Sequence, residues 1–140
     1  MSEALYQAAL VERAQAGRRR GRLAVADRSV TLDNPLCGDR VTLDLAFEDG
    51  RIAGVGHQVR GCLLCEAAAE TIAAHAPGKT VADLAAAAAA VMAILAEGAP
   101  APDGEWSCLA IFAPVHKAKS RRDCVRLPFE ALGKALAKTG

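Results

Sequence analysis

The sequence predicts one α+β domain, a three-stranded antiparallel sheet with an N-terminal helix and further helices packed on one face. Two patterns point to it. Residues 40–48 alternate apolar and polar side chains, as a half-buried strand does, and from residue 62 onward apolar residues recur at helical spacing. One helix, three strands and then only helices is an order typical of α+β domains. The 140 residues, 1–140, are of single-domain length.

The first helix is predicted over residues 3–16, with Ser2 as its N-cap and Gly17 as its stop. Four arginines around Gly21 follow in residues 18–22. We interpret this run as a solvated linker, with a docking patch for an acidic partner protein as the alternative.

Turn residues mark the ends of the strands. Asp49-Gly50 is a strong signal for a two-residue hairpin. Gly54 and Gly56 indicate a bulge or a close approach of another backbone segment. The predicted strands are residues 23–32, 40–48 and 51–60.

The second half of the chain reads as helices. Thr80 and Asp83 form a variant capping box, Gly98 ends that helix, and Pro114 ends the next. The predicted helices are residues 62–76, 80–97, 105–113 and 121–138.

Composition excludes several classes of function. A net charge of +1 does not favour nucleic acid or a membrane surface as partner. No apolar run reaches the roughly 18 residues of a transmembrane helix, and the N-terminus lacks the pattern of a signal peptide. We therefore predict a cytoplasmic protein, a monomer or weak dimer, whose five cysteines are thiols, metal ligands or reactive groups.

The motif over residues 34–39, Asn-Pro-Leu-Cys-Gly-Asp, places a thiol and a carboxylate two positions apart in a loop. The intervening glycine lets the backbone bend, so that Cys37 and Asp39 can face one metal ion. Cys62 and Cys124 each lie at a predicted helix start, where unpaired N–H groups favour anionic sulfur. Thiolates suit Zn²⁺ and iron–sulfur clusters, whereas a carboxylate is a more exchangeable ligand. The hypothesis is that the fold brings these four residues together.

Three motifs resemble the U-type iron–sulfur scaffold family (IscU, SufU and the NifU N-terminal domain). Residues 34–39 resemble its N-P-x-C-G-D motif, and Arg60-Gly61-Cys62 resembles its G-C helix start. Residues 121–132 are similar to its R-x-x-C-x-x-L-x-x-x-A-L ending, and Tyr6 fits its N-terminal helix. The resemblance implies a SufE/NifU-like fold and covers nearly the whole chain.

The spacing of the later cysteines resembles the SufU branch. Cys124 lies 62 positions after Cys62, and Asp123 stands where IscU proteins have a histidine. Pro114-Val115-His116-Lys117 lies too far upstream to match the IscU chaperone-binding motif.

The resemblance to this branch implies a function and a site. Cys37, Asp39, Cys62 and Cys124 would bind zinc, Cys37 would accept sulfur, and Arg121 would contact a partner. The chain would then be a sulfur carrier acting with a SufS-like cysteine desulfurase and other iron–sulfur assembly proteins, and not a free-standing enzyme.

Three alternatives stay open. The first is a scaffold that builds a [2Fe–2S] cluster, or holds Fe²⁺, on the same residues. The second is a structural zinc module that only binds a partner. The third is a thiol enzyme, which would need a base beside its nucleophile. No histidine is paired with Cys37 in the sequence.

Other chemistry-bearing residues are expected to be structural. Cys65 is predicted as a buried side chain, with a resolving thiol or a substitute ligand as alternatives, and Cys108 as core. The remaining expectations are a surface His57, a cationic His75 at a helix end, a structural His116, and Asp44 on a strand surface.

Overall fold

A layer of helices covers one face of a three-stranded antiparallel sheet, which confirms the predicted fold. This computed structural model describes residues 3–36 and 38–137, with side chains from residue 6 onward. The elements are α1 (Glu3–Arg18), β1 (Arg28–Asn34), β2 (Asp39–Glu48), β3 (Arg51–Arg60), α2 (Leu63–His75), α3 (Val81–Glu97), a 3-10 helix η1 (Gly104–Lys117) and α4 (Lys119–Ala137).

The sheet follows the chain in the order β1-β2-β3. Asp49 and Gly50 both have positive φ, at 52° and 77°, so the predicted hairpin turn is confirmed. A register shift between Ala46 and Phe47, facing Gly54 and Ile52, confirms the predicted bulge.

β1 begins five residues later than predicted, because the segment before it crosses the sheet and does not pair along it. The main-chain oxygen of Gly21 accepts a hydrogen bond from His57 N–H at 3.0 Å. A Cβ on Gly56 would lie 2.5 Å from the nitrogen of Leu23, so only glycine allows this crossing. The predicted close approach at Gly56 is therefore confirmed.

The core lies between the sheet and the helices. Val41, Leu43 and Leu45 alternate along β2 and are each fully buried, as the pattern predicted. α2 meets them with small side chains, since Ala67, Ala68 and Ala69 are fully buried. Alanine lets helix and sheet approach closely, which suits a chain with only 4% aromatic residues.

Helix ends were predicted with mixed success. The capping box of Thr80 and Asp83 is present, and Gly98 ends α3 with a φ of 68°. The expected stop at Pro114 is wrong, because η1 continues to Lys117 as a 3-10 helix. The predicted N-cap, Ser2, lies outside the described residues.

Gly17 does not stop α1, which runs on to Arg18. It is instead a packing residue, because a Cβ there would lie 3.0 Å from the Cβ of Glu70 on α2. The absent side chain thus lets the last turn of α1 pack directly on α2.

The interpretation of the arginine run as a solvated linker is wrong, because most of its charges are paired within the molecule. Three of its guanidinium groups pair with carboxylates, at 2.6 to 2.8 Å: Arg18 with Glu66, Arg20 with Glu70, and Arg22 with Asp44. The run therefore fastens the end of α1 and the following segment to α2 and β2.

Asp44 and His57 are buried, so the expectation that both lie on the surface is wrong. Asp44 is 1% exposed and accepts hydrogen bonds from Arg22, from Ser29 Oγ and from the Leu23 N–H. His57 is 3% exposed, and its Nε2 lies 3.0 Å from Glu70 Oε1. The segment before β1 supplies Arg22 and the Leu23 N–H to Asp44, and α2 supplies Glu70 to His57.

His75 is not the cationic helix end that was expected. Burial, and then the charge of Arg13, lower its pKa. Its ring packs against Trp106 with 5.9 Å between centroids. Cys108 packs against the core, as predicted. Within the part of the chain that the structure describes, no helix has both the length and the apolar character to cross a bilayer.

Candidate metal centre

Asp39, Cys62 and Cys124 meet at one point, although they are far apart in sequence. One carboxylate oxygen and the two Sγ atoms all lie within 4.8 Å of one another. The three side chains come from the start of β2, the N-cap of α2 and the second turn of α4. The sheet and the two helices that pack on it thus assemble the cluster.

Asp39 continues the buried face of β2, because it stands two residues before Val41. It is 4% exposed. Its Oδ1 accepts a hydrogen bond from the N–H of Cys62 at 3.2 Å, and its Oδ2 lies 3.7 Å from Cys62 Sγ. The N–H and Sγ of Cys62 therefore orient the carboxylate without help from a metal ion.

Gly61 makes room for that carboxylate. A Cβ at this position would overlap the carboxylate of Asp39. In the sequence, Gly61 was recognisable only as part of the Arg60-Gly61-Cys62 motif. The glycine directly before the cysteine was the signal for this role.

Cys62 is the N-cap of α2, with a φ of −78° and a ψ of 167°, which confirms the expected helix start. Its side chain makes no capping hydrogen bond, so the sulfur is available to the cluster. The thiol is half-buried.

Cys124 lies in the second turn of α4, because that helix begins at Lys119, two residues before the prediction. The side chain is buried. Burial raises the pKa of its thiol, and the nearby Cys62 and Asp39 raise it further. If all three donors were ionised they would repel one another, and a bound cation would offset that repulsion. Two sulfurs and one oxygen fit a soft divalent ion such as Zn²⁺.

Cys37 lies outside the described residues, but the structure places its loop. The loop joins Asn34 to Asp39, which are the last paired residues of β1 and β2. Asn34 Oδ1 accepts a hydrogen bond from Leu36 N–H at 3.1 Å, and Asn34 O accepts one from Gly38 N–H at 2.8 Å. The loop therefore begins at the same strand end that carries Asp39 into the cluster.

The other candidate residues are not in the cluster. Cys65 is fully buried in α2, which agrees with the expected core role and does not support a substitute ligand. His116 Nδ1 bonds to the main-chain oxygen of Leu95 at 2.9 Å, and this contact ties η1 to α3.

A groove of about 580 Å³ opens beside the cluster, and sequence reasoning did not find it. Cys62 and Cys124 line it together with apolar side chains of α1, α2 and η1, and among the described residues Arg121 is the one cation in the lining. We call it the cysteine groove. Its lining residues are Tyr6, Gln7, Leu10, Val11, Cys62, Leu63, Leu64, Pro114, Val115, Ser120, Arg121 and Cys124.

A model of the NifU-like N terminal domain matches residues 5–138, nearly the whole chain. The chain belongs to this family. The family match confirms the resemblance stated from the three sequence motifs.

Three similar curated proteins are named as iron–sulfur cluster assembly scaffold proteins. The iron–sulfur cluster assembly scaffold protein IscU of Streptococcus pyogenes serotype M1 is 26% identical over 136 residues, which cover 96% of this chain and 84% of that protein. The scaffold proteins IscU 1 and IscU 2 of Archaeoglobus fulgidus are each 31% identical over 77 residues, 55% of this chain. That match spans half the length of those two relatives.

Solved structures share the architecture. A NifU-like N-terminal protein from Brucella abortus superposes with a TM-score of 0.84 at 33% identity, covering 91% of this chain and 89% of that one. A putative SUF-system scaffold from Fervidobacterium islandicum AW-1 gives a TM-score of 0.83 at 22% identity, covering 91% and 93% of the two chains. The second likeness shows the fold alone.

Proposed function

We propose that this NifU-like domain serves iron–sulfur cluster assembly as a SufU-type, zinc-dependent acceptor of persulfide sulfur from a cysteine desulfurase. The observation that carries the proposal is the convergence of Asp39, Cys62 and Cys124 within 4.8 Å, at the strand end where the Cys37 loop begins. Family membership supports the place in iron–sulfur assembly.

Four residues would hold the metal in this proposal: Cys37, Asp39, Cys62 and Cys124. Bound zinc would keep the thiols deprotonated and protect them from oxidation. Asp39 is the one oxygen donor among three sulfurs, and it already has a partner in the Cys62 N–H. A carboxylate with a second hydrogen-bond partner can leave the metal more readily than a thiolate can. The site therefore suits sulfur transfer better than permanent structural metal binding.

The transfer itself is a thiol–persulfide exchange. The Cys37 thiolate attacks the outer sulfur of a persulfide on the desulfurase cysteine. A new S–S bond forms to Cys37, the old S–S bond breaks, and the desulfurase cysteine leaves as a thiolate. No oxidant is needed, because one persulfide is consumed and one is formed.

A scaffold that holds a [2Fe–2S] cluster on the same residues is the second candidate. The names of the Streptococcus and Archaeoglobus relatives favour it. Cluster and zinc would compete for the same thiolates, so reconstitution separates the two candidates.

Desulfurase turnover tests the proposal, measured as alanine formed from cysteine. We expect the unmodified chain to accelerate turnover, Cys37→Ser to abolish the acceleration, and Cys108→Ser, a thiol outside the cluster, to retain it. No acceleration by the unmodified chain, or equal acceleration by Cys37→Ser, would rule out sulfur acceptance. Anaerobic reconstitution with iron and sulfide would then show whether visible cluster absorbance appears. Zinc binding with neither property would favour a structural zinc module.

A further inference from the structure

Two basic runs in this chain have opposite surroundings. Three of the four arginines of residues 18–22 are engaged by buried or partly buried carboxylates. The second run, Lys117 to Arg122, contains four cations and no acidic residue. Among the described residues, Lys117, Lys119 and Arg121 form no ion pair. Their charges are therefore available to a partner.

The second run also acts against local stability. α4 begins at Lys119 and has no acidic residue in its first turn. The N-terminus of a helix carries a partial positive charge, so lysine and arginine there are unfavourable. Within the run, Arg122 donates a hydrogen bond to the main-chain oxygen of His116. Lys119 and Arg121 form no ion pair among the described residues, so their unfavourable position at the start of α4 points to a function elsewhere.

The position of the run specifies that function. Arg121 lines the cysteine groove, together with Cys62 and Cys124. The groove wall is largely apolar, through residues such as Leu10, Leu63 and Val115. Arg121 adds a positive charge to the lining, and Lys119 directly precedes the lining residue Ser120 in the chain, so charge can select the partner.

We propose that this face docks a protein segment with an apolar side chain flanked by carboxylates. The apolar side chain enters the cysteine groove, and the carboxylates pair with Lys117, Lys119 and Arg121. A docking patch for an acidic partner, which was the alternative interpretation of residues 18–22, is proposed at this second run instead. The inference rests on the proposed function in one respect, because the partner used to test it is a cysteine desulfurase.

Lys119→Glu separates binding from folding, since the two effects have opposite signs. Glutamate in the first turn of α4 favours the helix dipole, so we expect the midpoint of thermal unfolding to stay the same or rise by about 1–3 °C. We expect the Kd for a SufS-type cysteine desulfurase, at about 0.05 M salt, to weaken about tenfold or more. At about 0.5 M salt the two proteins should bind nearly alike.

Arg19→Glu is the matched control. Arg19 is exposed, belongs to the first run, and makes no ion pair among the described side chains. The charge change is the same, so a Kd within about twofold of the unmodified chain is expected. An unchanged Kd in Lys119→Glu, or an equal loss in Arg19→Glu, would overturn the docking face while leaving sulfur acceptance intact.

Two further results count against the proposal. Self-association of the chain that Lys119→Glu abolishes, with desulfurase binding unaffected, would assign the face to a second copy. Failure of the unmodified chain to bind any desulfurase would overturn the docking face and the proposed function together.

Discussion

At the scale of single residues, the site depends on one missing side chain. Asp39 fits beneath Cys62 because Gly61 has no Cβ. The carboxylate is then close enough to accept the Cys62 N–H and to stand beside both sulfurs. A second glycine, Gly17, plays the same part at the contact of α1 with α2.

Gly61→Ala should therefore damage the metal site without unfolding the protein. The new methyl group displaces the Asp39 carboxylate, and a disturbed ligand position typically costs about tenfold or more in metal affinity. Competition against a chelator measures this loss. Gly133→Ala is the control, since nothing lies within 4 Å of a Cβ there, and alanine in that exposed helical position should leave zinc affinity unchanged. Equal zinc affinity in Gly61→Ala would show that Asp39 does not need its present position.

At the scale of elements, β2, β3, the hairpin and the α3 cap followed local rules and could be predicted from sequence, whereas the start of β1 could not. The hairpin needs only Asp49 and Gly50, and the cap needs only Thr80 and Asp83. The role of the arginine run could not be predicted, because its carboxylate partners lie 22 to 50 residues away. For the same reason His57 looked like a surface residue.

Glu70 on α2 pairs with Arg20, in the segment after α1, and with His57 on β3. Its titration should therefore be visible in acid unfolding. Burial opposes its ionisation, but hydrogen bonds from Arg20 and then His57 outweigh that effect and lower its pKa from 4.5 to about 2. The stabilisation is therefore complete above pH 4.5 and is lost as the pH falls toward about 2.

Glu70→Gln should remove that part of the pH dependence and lower the free energy of unfolding at pH 7 by about 2 kcal/mol, because it removes the charge that pairs with the partly buried Arg20 and the buried His57. Denaturant unfolding between pH 2 and pH 7 measures both effects. Glu130→Gln, which removes a surface partner of Arg126, should cost less than about 1 kcal/mol. An unchanged slope between pH 4.5 and 2 in Glu70→Gln would contradict the assigned role.

At the scale of the whole molecule, the candidate site is a product of topology. No two of Asp39, Cys62 and Cys124 are neighbours in sequence, and residue types alone could only nominate them. Their meeting required β2 to begin beside the N-terminus of α2, with α4 packed against both. The family motifs identified these residues as candidates, and the packing of the two helices on the sheet brings their side chains together. The cysteine groove left no sequence signal, since its walls come from four separate segments.

The most direct test of the metal centre is the zinc content of protein purified without added metal. We expect about one zinc per chain in the unmodified protein. Cys62→Ser and Cys124→Ser should each lose most of it, whereas Cys108→Ser should retain it. Full zinc occupancy in both Cys62→Ser and Cys124→Ser, or no zinc in the unmodified chain, would contradict a metal centre built on these residues.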